Sequence, residues 1–187
     1  MEIETTEITM SVERLSRDLR VASKTLSDAE ARFLVDAYYQ MQDNRIRSNN
    51  QIRQMKEEPH EMLAWLSTQA DILEKSVRAS LDVYSDTHPI GQRIRTVVGI
   101  GPVIAAGLIA HIDIEQASTA GAIWRFAGLD PTAKWGKGKK RPHNAKLKTL
   151  CWKLGESFVK VSNNKNDFYG ALYKTRKEIE SKKNEEG

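Results

Sequence analysis

The stretch Ile94-Arg95-Thr96-Val97-Val98-Gly99-Ile100-Gly101-Pro102-Val103-Ile104-Ala105-Ala106-Gly107-Leu108-Ile109 reads as helix, two-glycine turn, helix. Gly99 and Gly101 lack a Cβ and can take φ > 0, so the backbone there can approach another backbone closely. Pro102 suits the first turn of the second helix, where its missing N–H costs nothing. Ala105 and Ala106 would hold the two helices close, with Val97, Ile104 and Leu108 as their shared core.

Outward from this hairpin the chain keeps a helical period. Towards the C-terminus helices are expected at roughly 118–127, 144–161 and 166–182, and the hairpin itself supplies 90–98 and 102–111. Upstream, Ser27 is an N-cap with Asp28 next and Glu30 three residues later, the capping-box spacing. Leu34, Tyr38, Met41, Ile52 and Met55 follow at spacings of three and four, although Arg45 and Ser48 interrupt the stripe. Pro59 stops that helix and can enter the first turn of another, whose stripe is Met62, Leu66, Leu73, Val77 and Tyr84. The pattern ends near Thr87-His88-Pro89-Ile90-Gly91. No segment shows the sustained alternation of a half-buried strand. The fold class is therefore all-α: a long antiparallel helical hairpin, coiled-coil-like, followed by a compact helical domain. The expected divisions are 1–26 as a tail or a short helix through Val12, Leu15, Leu19 and Leu26; 27–90 as the hairpin; and 91–187 as the compact domain.

Bulk properties narrow the class. The chain has 187 residues, enough for one compact domain plus an extended helical piece, and a net charge of +4, which weakly favours polyanionic partners. One Cys excludes an internal disulfide framework and suits a reducing compartment. The start, MEIETTEITM, is acidic and polar, unlike a secretory signal peptide. The longest apolar run, from Val97 to Ile112, is shorter than the roughly 20 residues of a bilayer span and is broken by Gly-Ile-Gly-Pro. The expected location is the cytoplasm, with no membrane partner.

The turn and its surroundings suggest a chemistry. N–H groups around Ile100, Gly101 and Val103 would point out from a positive helix end, where phosphate oxygen binds well. An apolar residue between two glycines, with Ala105 four residues after the second, resembles the helix-hairpin-helix motif, which implies contact with the DNA backbone without base reading. Between Pro131 and Gly155 stand Lys134, Lys137, Lys139, Lys140, Arg141, Lys146, Lys148 and Lys153, with no acidic residue. The part Lys134-Trp135-Gly136-Lys137-Gly138-Lys139-Lys140-Arg141 is ill suited to a helix and is expected as a mobile loop. Asn144 can cap the helix behind it, placing Lys146 and Lys148 beside the loop. Such a loop could clamp a polyanion, because neutralised phosphates release counterions. Trp135 could stack on a base or sugar, and His143 could join the clamp. The same run also fits an ordinary solvated face with Trp135 packed on the body.

Val97–Ala110 followed by Phe126-Ala127-Gly128-Leu129-Asp130-Pro131 makes the C-terminal half resemble a known domain. It is similar to the C-terminal transposase domain of the bridge-RNA-guided insertion-sequence recombinases, which join a RuvC-like nuclease domain to a serine-bearing domain. The matching parts are the Gly-x-Gly hairpin, the Gly128-Leu129-Asp130-Pro131 turn, and a helix with Lys146, Leu147, Lys148 and Leu150. That family's long helical hairpin corresponds to residues 27–86. Where the resemblance implies a nucleophilic Ser-Gly, this chain has Lys134-Trp135-Gly136, and no serine lies from Thr119 to Glu156. Thr132 and Thr149 have no base placed to activate them. Residues 1–90 show no strands to carry the nuclease domain's carboxylates, and Asp113 with Glu115 is one pair only.

The remaining reactive side chains read as structural. His60, His88, His111 and His143 share no metal-ligand spacing with Cys151 or with each other. His111 closes the second hairpin helix, at its negative end. Cys151 reads as a small core residue, and Trp124, Phe126, Trp152 and Phe158 as the core of the second half. Tyr38 and Tyr39 read as packing within the first hairpin. No catalytic residue, metal or cofactor is assigned. The expected function is binding of nucleic acid, DNA before RNA, by a domain derived from a transposase. Two alternatives stand beside it: a recombinase component active with a nuclease subunit in trans, and an interaction protein dimerising through residues 27–86.

Overall fold

The structure, a computed structural model, describes residues 15–55 and 60–186. Among them are eight α-helices, one short 3-10 turn and no strand, so the all-α reading stands. The chain divides between Tyr84 and Ser85 into two compact units.

In the first unit, Ser16 caps α1 (Arg17–Ala22) and a 3-10 turn (Ser23–Thr25) leads to α2 (Asp28–Gln54). The capping box at Ser27 forms as expected: its N–H donates to Glu30 Oε2 at 2.8 Å and its Oγ accepts from Glu30 N at 3.3 Å. Helix α3 runs Glu61–Thr87; Pro59, expected between the helices, lies outside the described residues, as does Val12. Three side-chain pairs align α2 with α3: Tyr84 Oη to Asp28 Oδ1 at 2.8 Å, Arg45 to Glu74, and Ser67 Oγ to Asn49 Oδ1 at 3.1 Å. Numbers rise on one helix as they fall on the other, so the pair is antiparallel. Each has 27 residues, about 40 Å at 1.5 Å per residue.

Only part of the expected seam is closed. Of the expected stripe Tyr84 is buried and Leu34, Tyr38, Met41, Ile52 and Val77 are half-buried, whereas Met55, Met62, Leu66 and Leu73 are exposed; Ala31, Val35 and Leu81, outside the stripe, are buried as well. Arg45, a gap in the sequence stripe, has a partner: its Nε lies 2.5 Å from Glu74 Oε2 and its Nη2 3.2 Å from Oε1. Glu74 is buried, so its charge needs this fork. Tyr38 and Tyr39 pack edge to face within the hairpin, with centroids 5.4 Å apart. Burial, reinforced by the Glu74 carboxylate, raises the Tyr38 phenol above its ordinary pKa.

The second unit contains α4 (Pro89–Ile94), α5 (Pro102–His111), α6 (Ala120–Phe126), α7 (Ala145–Lys160) and α8 (Phe168–Glu186). Helix α5 packs on α4 and α7, and α7 on α8. The first hairpin helix is shorter than the expected 90–98, because the chain leaves it at Ile94 and turns through 95–100. The core is made of small residues: Val103, Ala105, Ala106, Ala110 and Ala127, joined by Leu147 and Leu150. Val97, Ile104 and Leu108, expected at the centre, are only half-buried. Helices that meet through alanine leave a thin interior, and longer side chains sit at its margin. Of the expected aromatic core only Phe158 packs, stacked on Tyr169 with ring centroids 4.5 Å apart. Trp124 is 59% exposed, Trp152 64% and Phe126 41%, and Phe158 is half-buried.

Candidate nucleic-acid interface

The two glycines of the hairpin turn have different duties. Gly99 adopts φ +99°, and a Cβ there would lie 2.7 Å from the Phe158 ring. Its carbonyl accepts from Ser157 Oγ at 2.7 Å, which fixes the turn to the C-terminal end of α7. Gly101 has φ −85° and ψ 174°, an extended conformation any residue adopts, and nothing lies within 4 Å of where its Cβ would be. Only Gly99 therefore needs the left-handed region. The Ile100 N–H, expected to face outward, donates to Val97 O at 3.0 Å. No side chain caps α5, and no preceding turn supplies acceptors for its first amides; Gly101 at the cap is exposed, while Val103 is buried.

The Gly128-Leu129-Asp130-Pro131 turn closes α6. Gly128 has φ +69°; its N–H donates to Arg125 O at 3.1 Å and that of Leu129 to Trp124 O at 2.8 Å. This crossed pair is a Schellman ending, and it requires a residue at ease with positive φ. The His143 ring fills the space a Gly128 Cβ would occupy, so His143 packs on this turn. Beyond it, Asp130 Oδ1 accepts from Thr132 Oγ1 at 2.6 Å and Thr132 N at 2.8 Å, and Oδ2 accepts from Arg125 Nε at 3.3 Å. The Thr132 hydroxyl, then its amide, holds the carboxyl below the usual carboxylate range.

Every residue from Pro131 to Pro142 is exposed, including Lys134, Lys137, Lys139, Lys140 and Arg141. No helix forms between Ala127 and Asn144, as the sequence implied. The loop bonds to itself. Trp135 Nε1 donates to Lys139 O at 2.7 Å, Lys139 N to Gly136 O at 3.2 Å, and the Arg141 guanidinium lies 5.6 Å from the Trp135 ring centroid. Trp135 remains half open to solvent at 51%.

Asn144 is the junction of this region. Its N–H donates to Phe126 O at 2.8 Å, and its Oδ1 accepts from Lys146 N and Leu147 N at 3.0 and 3.1 Å, capping α7. Its Nδ2 lies 3.2 Å from Nδ1 of the buried His111. One residue thus ties together the ends of α5 and α6 and the start of α7. Lys146 and Lys148 lie exposed in the first turn of α7.

The loop therefore meets α7 at its start, whereas the glycine turn docks near its end. From Asn144 to Ser157 is 13 residues, or about 20 Å of helix. These anchors, Asn144 for the loop and Ser157 for the turn, are what α7 holds apart.

Beside the loop is an open cleft of about 670 Å³, lined by Thr119, Gly121, Ala122, Trp124, Arg125, Phe126, Asp130 and Pro142. Sequence reasoning missed it, having placed its aromatics in the core. A local signal existed at one rim: Thr119 caps α6, accepting from Ala122 N at 3.2 Å.

The other candidates are occupied structurally. Asp113 accepts from the Gln116 side chain at 2.6 Å and from the Glu115 and Gln116 amides, and these bonds lower its pKa. Cys151 is half-buried, and burial pushes its thiol up. Among the described residues no three His, Cys, Asp or Glu side chains cluster, and no helix is long and apolar enough to cross a membrane.

Residues 91–169, which contain the turn, the cleft and the basic loop, match the family model described as Transposase IS116/IS110/IS902 family. This span is a transposase-like domain. No curated protein and no solved structure matches the chain.

Proposed function

We propose that the chain is a nucleic-acid-binding protein, DNA before RNA, in which a transposase-derived domain grips the phosphate backbone. The observation that carries the reading is the acid-free run from Pro131 to Gly155, whose part up to Pro142 is wholly exposed within the transposase-like span. Lys134, Lys137, Lys139, Lys140 and Arg141 supply charge, with Lys146 and Lys148 beside them; the amide of Gly101 supplies a second, neutral contact. Ile100 contributes by holding the turn, Trp135 by closing the loop, and His143 by setting the Gly128 turn.

For one ligand to meet both loop and turn, it would span about 20 Å if the two follow their anchors on α7. A duplex rises 3.4 Å per step, so about six base pairs reach from loop to turn. The Ser-Gly of the resembled recombinases is replaced by Lys134-Trp135-Gly136, and the role proposed is binding rather than strand cleavage.

The test is a titration of labelled duplex by anisotropy across salt concentrations. If about five phosphates are neutralised, log K falls with log salt at a slope of about −4 to −5. A flat response overturns the reading.

A further inference from the structure

All four tryptophans of this chain are well exposed, from 42% at Trp65 to 64% at Trp152, although Trp is highly buried on average. Trp124, 59% exposed, stands in the cleft beside Phe126, 41% exposed, and Pro142. These three apolar faces, set among polar walls around an open space of about 670 Å³, leave room for a flat ring with its attached sugar. Asp130 and Arg125 line the same space. A carboxylate has about four acceptor sites, and Thr132 N, Thr132 Oγ1 and Arg125 Nε account for three at Asp130. The remaining one can take an exocyclic amine of a base, while its negative charge repels phosphate. Phosphates have their own place next door. Pro142 belongs to the cleft wall, and Lys139, Lys140 and Arg141 immediately precede it.

We propose that this cleft is a stacking site for unpaired nucleobases, so that the strand held by the basic loop is single-stranded or looped out at this point. The inference rests on the nucleic-acid reading above and deepens it by naming the class of strand. In a duplex both faces of every base are covered by neighbours, and no face is offered to Trp124. In a single strand each base can turn a face to the ring while its phosphates stay with the lysines.

Anisotropy titrations of the full chain with a 12-nucleotide single-stranded DNA, its RNA counterpart and the matching DNA duplex test the site. Trp124→Ala should weaken binding of the single strands about tenfold, within the range for one stacked base, and leave the duplex within twofold. Trp124→Tyr should recover most of the loss. The DNA and RNA arms identify which sugar the loop prefers. Because Trp124 is exposed, an unchanged circular-dichroism spectrum verifies folding of the variants. A Trp124→Ala effect below twofold on both single strands, or equal weakening of single strand and duplex, overturns the stacking site while leaving the polyanion reading intact. Failure of the wild type to bind any of the three removes both.

Discussion

Replacing each hairpin glycine by alanine separates fold from function. At Gly99, alanine must hold φ +99° and place its Cβ 2.7 Å from the Phe158 ring. The left-handed conformation costs about 1–2 kcal/mol, and forcing a methyl into packed space adds about 1–3. Phe158 is only half-buried and can yield, so a total of about 2–4 kcal/mol is expected. In a unit of about 100 residues that lowers Tm by roughly 10–25 °C. At Gly101, φ is −85° and the space is open. The lower entropy of the unfolded chain favours alanine by about 0.4–1 kcal/mol, while alanine is a poorer N-cap by a similar amount. Gly101→Ala should therefore stay within about 0.5 kcal/mol of wild type. Thermal and denaturant unfolding followed by circular dichroism measure both. Equal destabilisation by the two substitutions would refute the division of duties. Duplex titration then asks the functional question: Gly101→Ala should weaken binding if phosphate closes on the α5 amides, because the new methyl stands in its way.

Two further substitutions probe the supports. Arg45→Met strands the buried Glu74 carboxylate and should cost about 3 kcal/mol, whereas Arg45→Met with Glu74→Leu should return to within about 1 kcal/mol of wild type; additive losses in that double-mutant cycle would show that the fork does not couple the helices. Asn144→Ala removes the α7 cap and the contact to His111, for about 2 kcal/mol in total, and Asn144→Ser, which restores only the cap, should recover about half; unfolding midpoints check both, and equal loss in the two variants would contradict the role given to the cap.

What could be read from the sequence was what depends on near neighbours. The Ser27–Glu30 box, Pro102 in the first turn of α5 and the Asn144 cap each involve residues within a few positions, and each forms. The basic loop was legible because glycine and charge oppose a helix there. What escaped was set by partners far along the chain. Arg45 looked like a flaw until Glu74, 29 residues away, met it. The left-handed turn at Gly99 is secured by Ser157 and Phe158, which no local spacing announces. Trp124, Phe126 and Trp152 are exposed, although their side-chain type points inward. Type alone cannot say that alanines would fill that interior first.

The ring closed by Trp135 and Lys139, with Arg141 laid against the indole, has a thermodynamic consequence. A slack loop of lysines must be ordered when it meets a ligand, and each immobilised long side chain costs about 0.5–1.5 kcal/mol. Here the backbone between the cations is already drawn together before any contact, so less disorder remains to be lost. Preorganisation of this kind slows departure more than it speeds arrival. Loosening the ring should shorten the lifetime of a bound state even with every charge retained.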